Sequence, residues 1–178
     1  SLTLVALLIS FSGFAQDWKL DFNAALETAK KEHKLVLLNF SGSDWCGPCI
    51  KMKKEIFASD EFAKFAQEHV VLVNADFPRY KKNKLPKEQE KHNEQLAERY
   101  NNKGIFPLTV LFNPEGKVLK RWEGYPRLSA GQFTSQVKSF LPKGETTGHL
   151  KPFSKQKLLM GSAFSVTVVT SSWENAEP

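Results

Sequence analysis

The chain's only two cysteines, Cys46 and Cys49, stand three apart in SGSDWCGPCIKMKK (residues 41–54). Two thiols at that spacing can pass electron pairs in and out through a disulfide, a chemistry serine oxygens lack. A thiol is inert until ionised, and a free cysteine, with a pKa of about 8.5, is mostly protonated at neutral pH. Pro48 fits the first turn of a helix. That puts Cys46 at a helix N-terminus, where unpaired N–H groups and the macrodipole stabilise a thiolate, and Cys49 one turn inside. Cys46, ionised and accessible at the helix mouth, is therefore the expected attacking thiol and Cys49 the resolving one. Attack on a substrate disulfide followed by internal displacement leaves a Cys46–Cys49 bond.

Other uses of the pair are weaker. A structural zinc site needs four ligands, no second cysteine pair exists, and His33, His69, His92 and His149 are scattered. No metal and no other cofactor is expected. A structural staple closing so short a loop removes little chain entropy.

The flanking elements must carry the pair. Phe22, Ala25, Leu26 and Ala29 recur at helical spacing with Lys30, Lys31 and Glu32 opposite. KLVLLNF (34–40) and VVLVNAD (70–76) are continuous apolar runs, the pattern of strands buried on both faces. The segment between them predicts a helix from Pro48 with Ile50, Met52, Ile56 and Phe57 inward, then a further turn or two, capped by Ser59-Asp60, that carries Phe62 and Phe65. Strand, helical crossover and strand make a parallel unit. Residues 77–103 are crowded with Lys, Glu, Gln and Asn, and read as a solvated insertion whose helix, 87–100, has only Leu96, Ala97 and Tyr100 as an apolar edge. FPLTVLF, NPEG and KVLKRW read as strand, turn and strand. Ser129 and Gln132 form a capping box for a last helix packing Phe133, Val137 and Phe140, ended by Leu141-Pro142. Trp18, Trp122 and Trp173 are expected as core or rim aromatics.

Of 178 residues, 41% are hydrophobic and 14 are Phe, enough for a packed core, so wholesale disorder is excluded. The net charge of +6 allows an acidic partner. Lys and Glu mingle along the chain without an Arg-rich aromatic patch, however, and nucleic-acid binding is not expected. The cluster Lys81, Lys82, Lys84 and Lys87 reads first as a soluble face and second as a contact for an acidic partner. SLTLVALLISFSGFAQ (1–16) is too short to span a bilayer comfortably and ends in small residues before Asp17. It reads as a signal-peptide core cleaved after Ala15, with a buried helix or a membrane anchor as the alternative. Residues 1–15 are thus assigned to a signal peptide, and the mature protein to the periplasm or another exported location without stable membrane insertion. Disulfides persist there. The missing initiator Met and basic leader indicate that the sequence begins inside a longer one. Residues 16–142 form one domain, 143–156 a polar linker, and 157–178 the start of a further domain.

WCGPC after a buried strand and before a helix, with FP opening a later hairpin, resembles the thioredoxin superfamily over residues 17–141. The secretory leader makes it most similar to exported bacterial thioredoxin-like proteins. The resemblance implies an α/β fold with a central mixed sheet flanked by helices. It implies a thiol–disulfide oxidoreductase acting on disulfide-containing proteins, with an upstream thiol electron donor. The Gly-Pro between the cysteines resembles reducing thioredoxins and points to a disulfide reductase, while an oxidising compartment favours the opposite flow. It matches Pro107 to the family's cis proline, and Trp45, Gly47, Pro48 and Phe106 to the substrate-binding surface. Asn39 stands where the family carries a buried Asp that assists proton transfer, allowing for a one-residue insertion near Asp44. An amide cannot accept that proton at ordinary pH. Asn39 is therefore a modulator of proton transfer, with water, Asp44 or Glu55 as alternatives for the proton itself. A redox-switched binding module without turnover is the competing function. The tail KLLMGSAFSVTVVTS resembles the opening strand of FAD:protein FMN transferases, but is too short to hold such a site.

Overall fold

The computed structural model describes residues 16–142. The expectations for residues 1–15 and 143–178, including the signal peptide, linker, tail, His149 and Trp173, lie outside the described residues.

Strands β2 (Leu35–Ser41) and β3 (Val70–Asp76) run parallel at the centre of a five-stranded mixed sheet. The order is β1-β3-β2-β4-β5, with β1 (Trp18–Lys19) on one edge and the antiparallel hairpin of β4 (Leu108–Phe112) and β5 (Val118–Glu123) on the other. The hairpin turn closes through the Gly116 N–H to the Asn113 carbonyl at 3.0 Å, with Gly116 at φ 80°, a left-handed geometry that glycine adopts without a Cβ penalty. β1 was not anticipated, because two residues are too few to show a period.

Alternation along the strands sends two sets of side chains to opposite faces. Val36, Leu38 and Phe40 join Val71, Val73, Leu108, Val110 and Phe112 under α1 (Phe22–Glu32) and α4 (Lys87–Tyr100). Leu35, Leu37, Leu72 and Leu111 face the remaining helices, α2 (Gly47–Met52), α3 (Asp60–His69) and α5 (Ala130–Lys138). The caps follow the sequence: Asp21 accepts from the Asn23 and Ala24 N–H groups, Ser59 from Phe62, and Ser129 with Gln132 completes a capping box.

Two expectations need correction. The helix after the cysteines changes to a π-helix over Lys53–Phe57. Met52, Ile56 and Phe57 are buried as expected, but Ile50 is 49% exposed. It lies two residues from Met52, on the opposite side of the turn. Segment 77–103 is also more than a solvated insertion. Asn93 is buried and donates from Nδ2 to the Asp76 carbonyl at 2.8 Å, Leu96 enters the core, and the Tyr100 ring meets Phe22 and Phe112 at 5.7 and 5.0 Å. Polar ties add to the few apolar contacts: besides the Asn93 amide on β3, His92 Nε2 accepts the Phe22 N–H at 3.4 Å and Gln89 Nε2 donates to the Leu20 carbonyl at 3.1 Å.

Candidate active site

Cys46 is the N-cap of α2, in extended backbone, and Pro48 lies inside the first turn. The Cys46 Sγ accepts the Cys49 N–H at 3.3 Å and is bonded to the Cys49 Sγ. The first turn thus supplies an N–H donor to the sulfur expected to carry charge. The two residues are only 4% and 5% exposed, so in this oxidised form Cys46 is not the open thiol expected. Its side chain turns inward to meet the Cys49 amide and sulfur, while Gly47 and Pro48 take the exposed position at the tip of the turn.

The residue before the pair is set by a close approach. A Cβ at Gly42 would stand 2.3 Å from Trp45 Cε2 and 2.4 Å from Nε1, so a bare glycine lets the indole lie against the backbone. Trp45 Nε1 donates to the Phe77 carbonyl at 2.7 Å, and its ring meets Phe106 at 5.4 Å. The Arg79 guanidinium stacks 3.7 Å over it.

Asp44 fastens the same loop from below. Its carboxylate accepts the N–H groups of Arg79 and Tyr80 and the Asn83 Nδ2, each at 2.9 Å. Partial removal from water acts to raise the Asp44 pKa, but the Arg79, Asn83 and Tyr80 hydrogen bonds together outweigh it and hold the carboxyl below its usual 3.8. Both oxygens are thereby occupied. Glu55, the other carboxylate considered for proton transfer, accepts the Tyr125 hydroxyl at 2.6 Å. That bond, with some desolvation and the Glu55 charge, raises the Tyr125 pKa above 10.0.

The Phe106–Pro107 bond is cis, and the Pro107 carbonyl accepts the Gly124 N–H at 2.8 Å. Gly47, Pro48 and Phe106 line a groove of about 890 Å³ together with Lys51, Tyr125 and Arg127. Of the five residues matched to the family's substrate surface, Gly47, Pro48 and Phe106 thus line one groove, while Trp45 meets it through the Phe106 ring and Pro107 follows Phe106 in the chain.

Asn39 lies apart from the groove, inside the sheet at 6% exposure. The face of β2 toward α2 changes from Leu35 and Leu37 to Asn39 and Ser41, and Asn39 pairs in register with Asn74 and Thr109. Thr109 Oγ1 donates to Asn39 Oδ1, and Asn39 Nδ2 donates to Asn74 Oδ1, both at 3.1 Å. Ser41 Oγ continues to Asn74 and Asp76, and Asp76 accepts the Ser43 N–H at 2.8 Å. A polar layer therefore runs across three strands from beneath α2 to the loop carrying the cysteines. Sequence reading missed Asn74, Thr109 and Gly42, since their partners lie on other strands or depend on a side chain's direction. Arg79, Tyr125 and Arg127 were missed because nothing local marks a contact to a loop over thirty residues away.

The family described as a thioredoxin-like domain matches residues 22–140. The chain belongs to the thioredoxin-like family. Among its relatives, the disulfide bond reductase DsbH of Chlamydia pneumoniae is 44% identical over 117 residues, 66% of this chain and 68% of that protein. The thioredoxin-related protein DsbJ of the same organism is 41% identical over 64 residues, 36% of this chain but only 18% of its own length. A solved DsbH oxidoreductase superposes with a TM-score of 0.64 at 37% identity, covering 78% of this chain and 93% of that one. A thioredoxin from Thermus thermophilus, TM-score 0.52 at 18% identity over 70% of this chain and 86% of its own, shares the fold. With its Cys46–Cys49 pair closed as a disulfide at a helix N-terminus, this thioredoxin-like chain is a thiol–disulfide oxidoreductase.

Proposed function

We propose that the chain is an exported disulfide reductase in which Cys46 attacks and Cys49 resolves. The observation that carries this reading is the Cys49 N–H held on the Cys46 Sγ at the helix N-cap. In the reduced protein the Cys46 thiolate attacks one sulfur of a substrate disulfide, whose S–S bond breaks and releases the first substrate thiolate. Cys49, losing its proton, attacks the Cys46 Sγ in the mixed disulfide. The second substrate thiolate leaves, two electrons have passed to the substrate, and the Cys46–Cys49 bond remains. A dithiol donor upstream returns the pair to its reduced form.

Trp45, Gly47, Pro48, Phe106 and Pro107 form the surface that receives the substrate, and Asn39 tunes proton transfer through the layer beneath α2. The Gly-Pro between the cysteines and the similarity to a protein named a disulfide bond reductase favour reduction over oxidation. The exported location rests on the apolar run at residues 1–15. The test is turnover of a protein disulfide with a dithiol donor, together with trapping by Cys49→Ser. Reductase activity and adducts through Cys46 are expected. Binding of disulfide proteins without turnover, or a potential near the strongly oxidising end of about −120 mV instead of near −270 mV, contradicts the reading.

A further inference from the structure

Basic side chains border the groove on a surface whose aromatic residues touch one another. Arg127 and Lys51 line the groove itself, with Phe106. Phe106 meets Trp45, and Arg79 covers Trp45. Arg79 and Arg127 are exposed, and neither joins an ion pair among the described residues. The nearby carboxylates are already committed. Asp44 binds backbone N–H groups, and Glu55 takes the Tyr125 hydroxyl with Lys51 at 3.9 Å.

Arg79 is also held in place. Its backbone N–H is bonded to Asp44, two residues before Cys46, so its loop moves with the cysteine loop. The indole beneath the guanidinium leaves the N–H edges of that fork turned to water, ready for a carboxylate. Arg127 stands in the left-handed region at φ 50° in the loop that also supplies Gly124 to the Pro107 carbonyl.

We propose that Arg79 and Arg127 select substrate disulfides whose flanking segments carry Asp or Glu, one carboxylate lying against Arg127 in the groove and another against Arg79 beside Trp45. This selection rests on the oxidoreductase reading above and adds to it the chemistry of the substrate. Two exposed charge pairs of ordinary strength, about 0.3–0.7 kcal/mol each, correspond to roughly a three- to tenfold preference. At low ionic strength they are least screened.

The experiment uses three peptides with the same disulfide, flanked by Glu, Gln or Lys, and compares kcat/KM in a donor-coupled assay. At an ionic strength of about 0.01 M the Glu peptide should exceed the Gln peptide by roughly three- to tenfold and the Lys peptide should fall below it, the differences shrinking at about 1 M. The ratio of Glu to Gln should approach one in R79Q/R127Q. Because the ratio is taken within one protein sample, partial loss of folded protein cancels. Equal rates with Glu and Gln at low salt, or an unchanged ratio in R79Q/R127Q, overturn the selection while leaving the reductase reading intact. No turnover of any peptide overturns the reductase reading and the selection with it.

Discussion

Gly42→Ala should displace Trp45 without touching either cysteine. The added methyl would lie 2.3, 2.4 and 2.6 Å from Trp45 Cε2, Nε1 and Cζ2, whereas carbons pack at about 3.5–4.0 Å. The indole must retreat by more than about 1 Å, which carries Nε1 beyond hydrogen-bond reach of the Phe77 carbonyl, now at 2.7 Å. It also loosens the Arg79 stack and the Phe106 contact. A hydrogen bond of about 1 kcal/mol, a cation–π contact of about 0.5–1 and an aromatic pair of about 0.5–1.5 set a ceiling near 3.5 kcal/mol. The expected loss is about 1–3 kcal/mol in urea unfolding, with a fall in kcat/KM for a protein disulfide. A double-mutant cycle isolates the cause. In a Trp45→Ala background Gly42→Ala should cost nothing, or stabilise by about 0.4–1 kcal/mol through the unfolded chain. An equal cost in both backgrounds would refute the reasoning, as would a single variant with wild-type stability and Trp45 unmoved.

Asn39→Leu removes the Thr109 hydroxyl's oxygen acceptor and one of the two donors to Asn74 Oδ1, Ser41 Oγ remaining, and should cost about 1–3 kcal/mol by denaturant unfolding. Asn39→Asp should alter the pH dependence of the resolving step in stopped-flow kinetics, and an unchanged profile counts against its role beneath α2. Asp44, held below its ordinary 3.8, contributes stability that is fully present above that value and is lost as pH falls through its lower folded value. Amide protection factors at Arg79 and Tyr80 should therefore persist at pH 5 and drop only on acidification below the ordinary 3.8, and should be low at all pH values in Asp44→Ala.

The two central strands, the crossover, the hairpin and the capping box were legible because each is written in consecutive residues: apolar runs, a Pro-Gly turn, Ser129 three before Gln132. Cys46 at the N-cap was legible for the same reason, since Pro48 fixes where the helix starts. What escaped depends on contacts between distant residues. The inward turn of the Cys46 sulfur, the glycine under Trp45, and the tie from Asp44 to residues 79–83 have no local signature. Asn39 was visible as a polar break in an apolar strand, but its partners Asn74 and Thr109 become apparent only once the register of three strands is known.

The central claim concerns the ionisation of one sulfur, and alkylation of the reduced protein with iodoacetamide across pH, mapped by mass to each cysteine, tests it most directly. Cys46 should react first, with a midpoint at least about one pH unit below the 8.5 of a free thiol, while Cys49 lags. Reaction led by Cys49, or a Cys46 midpoint at or above the free-thiol value, would contradict the account.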